Sequence, residues 1–393
     1  MKISDVQVHL VEAPIPMTDQ VISGAGHKLC REAALIEVRV DDGLSGIGPC
    51  SFGSVTLELT FVRTLVEGVF KPALLGQDPL ATERIWRDIY YGHLVRTFGA
   101  RGVGVAILSA IDIALWDLKG KSLGLPIYRL LGGPVREAMP AYASSIYWSS
   151  VEESINQARE FVRRGYKAVK VKVGSDFGAD VDRVEAIAAV LGGANVMVDA
   201  NLAYTRNMAL RFGRELDRLG VSFFEEPISL DDVDGYGVLA KDLDTMIAVG
   251  ENLYTRWGFL PYVDAGVDVM QPDSSRCGGI SEARRVADLA TARNRLVAPH
   301  TFSDAFTLAA NLHVALAIDA AFILEVDETF NPLMTSLVQS PIKVVDGQIV
   351  PPSTPGLGLE LDRDWIVDHP YSGGPGTRPG VRPGSVGCRG AAS

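Results

Sequence analysis

The 393-residue sequence predicts an α/β chain, a barrel of eight parallel strands that carries a second, α+β layer. Three observations lead there. Charged or polar residues recur through the middle of the chain, each closing a short apolar run: Lys170 and Lys172, then Asp199, Glu225, Glu251, Asp273, His300 and Glu325. From Lys172 onward the steps are 27, 26, 26, 22, 27 and 25 residues, the length of one strand, one loop and one helix. The runs are rich in β-branched and aromatic residues and give way to Gly, Pro, Asn or Ser before helical stretches such as 280–293. Finally, the chain exceeds the roughly 250 residues of a lone barrel, so a further domain is expected.

The elements follow in order. Residues 1 to about 125 open with strand-like runs at 3–11 and 33–40 around a turn at Asp41-Asp42-Gly43, then continue with helical stretches near 55–74, 79–91 and 103–121. This is an α+β layer without barrel rhythm. The barrel is expected over 126–328, with strands at 139–147, 168–173, 196–199, 221–226, 245–251, 267–273, 296–300 and 321–325. Alternation along AVKVKV puts Lys170 and Lys172 on the inner face, roughly 6–7 Å apart at about 3.3 Å per residue, and Val169, Val171 and Val173 toward the helices. With eight strands placed, the Pro- and Gly-punctuated segment 329–370 is expected to return to the N-terminal layer. Residues 371–393 hold seven Gly, three Pro and no acid, the composition of a disordered tail.

Composition narrows the partners. A net charge of -11 argues against nucleic acid or an anionic membrane surface. The longest apolar stretches, 103–116 and 308–324, are broken by Asp112 and by Asn311, His313 and Asp319, which fits buried helices better than membrane spans. Residues 1–10 alternate like a strand and do not resemble a signal peptide. Cys30, Cys50, Cys277 and Cys388 lack metal-ligand or framework spacing, so a reducing cytoplasm is expected.

Asp199, Glu225 and Glu251 close three successive strands and offer hard oxygen ligands with no Cys or His among them, which selects Mg2+ or Mn2+ over Zn2+. Taken singly, each is more simply a helix-capping or solvated acid. As a periodic set they would repel strongly without a cation. Two lysines facing into a barrel are costly without counter-charge or function. With a dication nearby, Lys172 is expected to have a pKa lowered toward neutrality and to act as a base, while Lys170 stays charged and holds an anion. A His after a strand is usually a loop residue, but Asp273 stands at the matching place one strand before His300 and would fix its tautomer. Glu325, facing a bound anion, is expected to stay protonated and donate a hydrogen bond, with Glu328 as the rival for that role.

The set KVK at 170–172, VDAN at 198–201, FEEP at 224–227, GEN at 250–252, QPD at 271–273 with Gly278-Gly279, PH at 299–300 and Glu325 resembles the mandelate racemase subgroup of the enolase superfamily. The segment IDIALWDLKGK at 111–121 resembles the same family. The resemblance implies a (β/α)7β TIM-like barrel closed by a capping domain made from the N-terminal region and the C-terminal segment. It implies Mg2+ on Asp199, Glu225 and Glu251, one acid/base at Lys172 beside Lys170, and another at the Asp273/His300 pair. Asn201, Glu226, His27 and Trp148 are expected to support these ligands or the substrate.

The chemistry such a site performs is removal of the proton α to a carboxylate, giving an enediolate. Proton carriers on two faces permit racemisation, epimerisation or β-elimination. The resemblance implies dehydration of a sugar acid first, with epimerisation or lactone cycloisomerisation behind it. Cap loops around 15–30 and 50–56 would shape the pocket, and Ser23, His27, Lys28 and Arg31 make the first of them polar. A homo-oligomer acting on a small carboxylate substrate is expected. A Schiff-base aldolase would leave the His/Asp pair idle, and a non-catalytic sugar-acid-binding protein would leave every acid/base position idle.

Overall fold

The computed structural model describes residues 1–23, 26–52, 58–191, 195–373 and 377–378. Its N-terminal sheet has the order β1 (Ile3–Pro14), β4 (Cys30–Val40), β5 (Ser45–Cys50), all antiparallel, with β1 and β4 in one register from Asp5 opposite Arg39 to Pro14 opposite Cys30 after a shift between Ile3 and Asp5. Between them, β2 (Val21–Ser23) and β3 (Gly26–Lys28) make a small hairpin. Helix Val103–Leu123 lies on β5 at backbone contact, because a Cβ at Gly46 or Gly48 would fall 2.1 Å from the Ala114 oxygen or 1.8 Å from that of Ala110. That helix is apolar on every side, as a helix buried on every side requires. Its two acids are ties: Asp112 accepts from the Ser281 N–H (2.9 Å) and hydroxyl (2.7 Å), and Asp117 from the N–H groups of Ile47 (3.1 Å) and Leu357 (2.8 Å). The 111–121 motif therefore joins the cap to the barrel and to the C-terminal segment.

The barrel strands are β6 (Met139–Ile146), β7 (Ala168–Lys172), β8 (Asn195–Asp199), β9 (Phe223–Glu225), β10 (Met246–Val249), β11 (Val269–Met270), β12 (Leu296–Val297) and β13 (Leu324–Val326). They are parallel, in the order β13-β6-β7-β8-β9-β10-β11-β12, and a bridge from Val297 to Ala321 closes the ring. One residue from each strand or its edge fills the interior: Tyr142, Ala168, Met197, Phe223, Ala248, Val269, Ala298 and Ile323. This plug leaves the chemistry only the open, carboxyl end. Val169, Val171 and Val173 face the helical layer, as alternation requires.

The C-terminal segment does more than return to the cap. At the N-terminal end of the barrel, β14 (Gln348–Ile349) first pairs antiparallel with Pro140 and Met139 of β6. It then reaches the cap sheet, where Arg363 pairs with buried Glu37 (2.6 and 2.9 Å) and Pro370 bridges Val11. The expected disordered tail needs correction at its start. The Tyr371 N–H donates to Leu10 (3.1 Å), the Ser372 hydroxyl to Glu12 (2.6 Å), and β15 (Thr377–Arg378) pairs with β3. Backbone pairing needs no apolar side chains, so composition could not reveal it. Residues 374–376 and 379–393, like 24–25 and 53–57 of the expected cap loops, lie outside the described residues. Among the described residues no helix is long and apolar enough to cross a membrane.

Candidate active site

Strand register assembles the site. Lys172, Asp199 and Glu225 stand abreast on β7, β8 and β9, because Lys172 pairs with Asp199 and Asp199 with Glu225. Glu251 follows β10 after Gly250, whose φ of +156° and 2.5 Å gap from an added Cβ to the Gln271 oxygen admit only glycine. Asp199, Glu225 and Glu251 each offer one carboxylate oxygen, and the three atoms lie within 4.8 Å of one another. The turns after β8 and β9 place Asn201 (φ 43°) and Glu226 (φ 40°) in the left-handed region, strain tolerated where it aims functional groups. Asn201 donates its side-chain amide to Glu251 (3.0 Å) and Asp199 (3.3 Å). Glu226 accepts from Asn252 (2.9 and 3.1 Å), and burial, then Glu251, push its carboxyl well above the usual range.

Lys170 is buried with its ammonium 2.7 Å from both Glu225 and Glu325 and 3.8 Å from Asp199. Lys172 pairs with Asp199. Burial, the largest single influence, pulls the Lys172 ammonium down, but Asp199, Glu251 and Tyr147 together hold the group above its ordinary value. The lowering toward neutrality was expected with a dication on the acids, and Asp199, to which this lysine is bound, is one of them. Burial favours the neutral form of Glu325, expected for a carboxyl facing a bound anion; Lys170 and His300 hold it below the ordinary range here, and it accepts the Thr301 N–H (2.9 Å). Glu328 instead pairs with Arg164 and Tyr166.

His300 bridges two acids, its Nδ1 2.8 Å from Asp273 and its Nε2 3.0 Å from Glu251. Burial opposes the charge, but Glu325, Glu251 and Asp273 raise the imidazole to about 10. Asp273 is steadied by the Ser275 N–H (2.8 Å) and hydroxyl (2.6 Å). Lys172 thus meets the triad at Asp199 and His300 meets it at Glu251, with β13 and β6 between their strands on one side and β8 to β11 on the other.

Gln271 and Asn311 were noted in the sequence without a role. Gln271 donates to Glu225 (2.7 Å) from just past the end of β11, two residues before Asp273, and that spacing was its signal. Asn311 joins the Ser274 N–H (2.9 Å) to the His300 carbonyl (2.8 Å), and as a polar interruption of a buried helix it was visible without its role. Trp148 donates its indole N–H to Val173 (3.2 Å) across the ends of β6 and β7, a tie between loops. His27 lies in the cap hairpin, its backbone paired with Ile22 and Arg378, and the structure does not bring it to the triad.

The comparisons with known proteins meet this geometry. A model described as enolase C-terminal domain-like matches residues 153–365, and one for the mandelate racemase / muconate lactonizing enzyme N-terminal domain matches 6–132. The chain belongs to the enolase superfamily, mandelate racemase subgroup. Within it, the chain is 34% identical over 383 residues to the D-galactarolactone cycloisomerase of Agrobacterium fabrum, covering 94% of this chain and 98% of that protein. It is 36% identical to the arabinonate dehydratase of Saccharolobus solfataricus, with 86% and 90% covered. A racemase from Streptomyces coelicolor A3(2), solved with bound magnesium, superposes with a TM-score of 0.84 at 30% identity, over 94% of this chain and all of that one. The superfamily fold, a barrel with an N-terminal sheet as cap, is the one observed.

Proposed function

We propose that this chain is a Mg2+-dependent lyase that removes the proton α to the carboxylate of a sugar acid and expels a β-hydroxyl as water. The observation that supports it best is the charge balance of the mouth. Asp199, Glu225, Glu251, Asp273 and Glu325 share Lys170, Lys172, His300 and the neighbouring Arg276, and the three carboxylate oxygens within 4.8 Å of one another are the negative charge that one dication complements. That charge falls on Glu225, which burial and Asp199 push up to about 8, and whose Oε1 is buried without a hydrogen-bond partner. The donor set suits Mg2+, with Mn2+ as a substitute. Bound there, the ion would stabilise negative charge developing on the substrate carboxylate.

The residues then have distinct tasks. Lys170 stays charged beside Glu225 and Glu325 and holds the substrate carboxylate. Lys172, once Asp199 is engaged elsewhere, loses the partner that keeps it protonated and becomes the base on its side. His300, charged and oriented by Asp273, delivers a proton to the leaving hydroxyl from the other side. Asn201 and Glu226 steady the ligands. The same residues would serve cycloisomerisation of a sugar-acid lactone, a reading favoured by the cycloisomerase relative.

The proposal includes a cytoplasmic setting, supported by the free thiols of Cys30, Cys50 and Cys277, a homo-oligomer, and division into a cap to about residue 125 and a barrel to about 328. The deciding test is α-proton exchange in D2O, read by NMR across aldonic and aldaric acids with Mg2+ and with EDTA. Exchange with Mg2+ and none with EDTA is expected; full exchange after verified metal removal refutes the proposal.

A further inference from the structure

Cations near the open end of the barrel fall into two groups. Lys170, Lys172 and Arg31 each have a carboxylate partner, Asp327 in the case of Arg31 (3.1 Å). Lys28 and Arg276 have none among the described residues. Half-buried Lys28 projects from β3 over the ring of Phe302 (5.8 Å), and with Arg31, Ser51, Phe302 and Ser303 it lines a crevice between cap and barrel. Arg276 is 2% exposed; one Nη donates to the Glu251 carbonyl (2.7 Å) and its Nε has no partner. The Ser51 N–H reaches the Ser275 carbonyl (3.4 Å), so the cap wall of the crevice touches the turn that carries Arg276.

We propose that Lys28 and Arg276 form a second anion subsite, under the cap on the His300 side, and that the substrate carries an anionic group at each end. This inference rests on the sugar-acid reading and narrows it to diacids and their derivatives. Phe302 lies two residues beyond His300, so a ligand held at the triad by one carboxylate extends past His300 toward Lys28. Neither cation has a carboxylate at ion-pair distance among the described residues, and a distal carboxylate supplies a charge-assisted partner where a terminal hydroxymethyl does not. Burial, then Arg31, pull the Lys28 ammonium down to about 8, against Asp327 and against Glu32, which also lines the crevice, with Arg276 adding to the pull.

The test is calorimetric binding to the Mg2+-loaded protein at pH 7, with galactarate against galactonate and glucarate against gluconate. Each diacid should bind about tenfold or more tightly than its monoacid, a preference that weakens with salt. Lys28→Gln should collapse that ratio toward one, and Lys28→Arg should keep it. Equal affinity of the paired acids, no binding of the diacids, or an unchanged ratio in a cooperatively melting Lys28→Gln protein overturns the inference. If Lys28→Gln fails to fold, the wild-type ratio, its salt dependence and Lys28→Arg decide. Proton exchange in D2O is followed on the same samples. Loss of exchange with the preference intact strikes the reaction alone; exchange without the preference strikes the subsite alone.

Discussion

Replacing Lys170 by Met tests how the site is held together. The ammonium is 1% exposed and stands 2.7 Å from both Glu225 and Glu325. Without it, Glu225 keeps the Gln271 amide and Glu325 the Thr301 N–H among the bonds described above; Glu225 loses its cation, and Glu325 keeps only the more distant His300 (3.8 Å). Breaking a buried ion pair by removing one partner costs about 3–5 kcal/mol. Against a total stability of about 5–15 kcal/mol this is a large fraction. Urea melts in EDTA, followed by tryptophan fluorescence and by circular dichroism, should show that loss at pH 8. The loss should shrink at pH 5, because Glu325, no longer held low by the ammonium, takes up a proton on the folded protein, while Glu225, already pushed up to about 8, is protonated there in either case. The double variant Lys170→Met, Glu325→Gln should recover at least about 1 kcal/mol, since one orphaned charge is gone. A loss below about 1 kcal/mol, or no recovery in the double variant, would show that Lys170 is not the counter-ion of these acids.

Two further expectations concern histidines. Asp273→Asn keeps the shape but offers His300 Nδ1 a weaker partner, so turnover should fall by about 10²–10⁴ with little change in the melt, measured by keto-acid formation; unchanged turnover removes the pair from the mechanism. His313 is buried and neutral, its Nδ1 accepting the Tyr128 N–H (3.2 Å) and its Nε2 donating to Leu357 (3.1 Å), and burial lowers it to about 4. The unfolded chain therefore binds the proton first, and roughly 3 kcal/mol of stability should disappear as pH falls from about 6.5 to about 4, a slope that His313→Gln flattens in pH-dependent melts.

The acid ladder was legible because each acid closes a strand or follows it closely, and strand, loop and helix repeat at nearly constant length. Asp199, Glu225 and Glu251 converge as that rhythm implies. The states of Lys172 and Glu325 were not legible, since they depend on which charges lie within about 4 Å, and the neighbours of Lys172 and Glu325 come from distant strands. Glu225 likewise meets Lys170 from 55 residues away and Gln271 from 46. Pairing of 377–378 with the cap hairpin was hidden for another reason: a backbone ladder leaves no trace in a glycine-rich composition.

Alone, the sequence determined the barrel, its open end and the residues displayed there, because alternation and repeat length are local properties of strands and helices. Only the tertiary structure decided who neutralises whom: Lys170 between two glutamates, His300 between two acids, and Lys28 and Arg276 with no carboxylate at ion-pair distance among the described residues. Those choices follow from side-chain distances across a closed ring, and Coulomb energies in a buried site change too steeply with distance for spacing along the chain to reveal them.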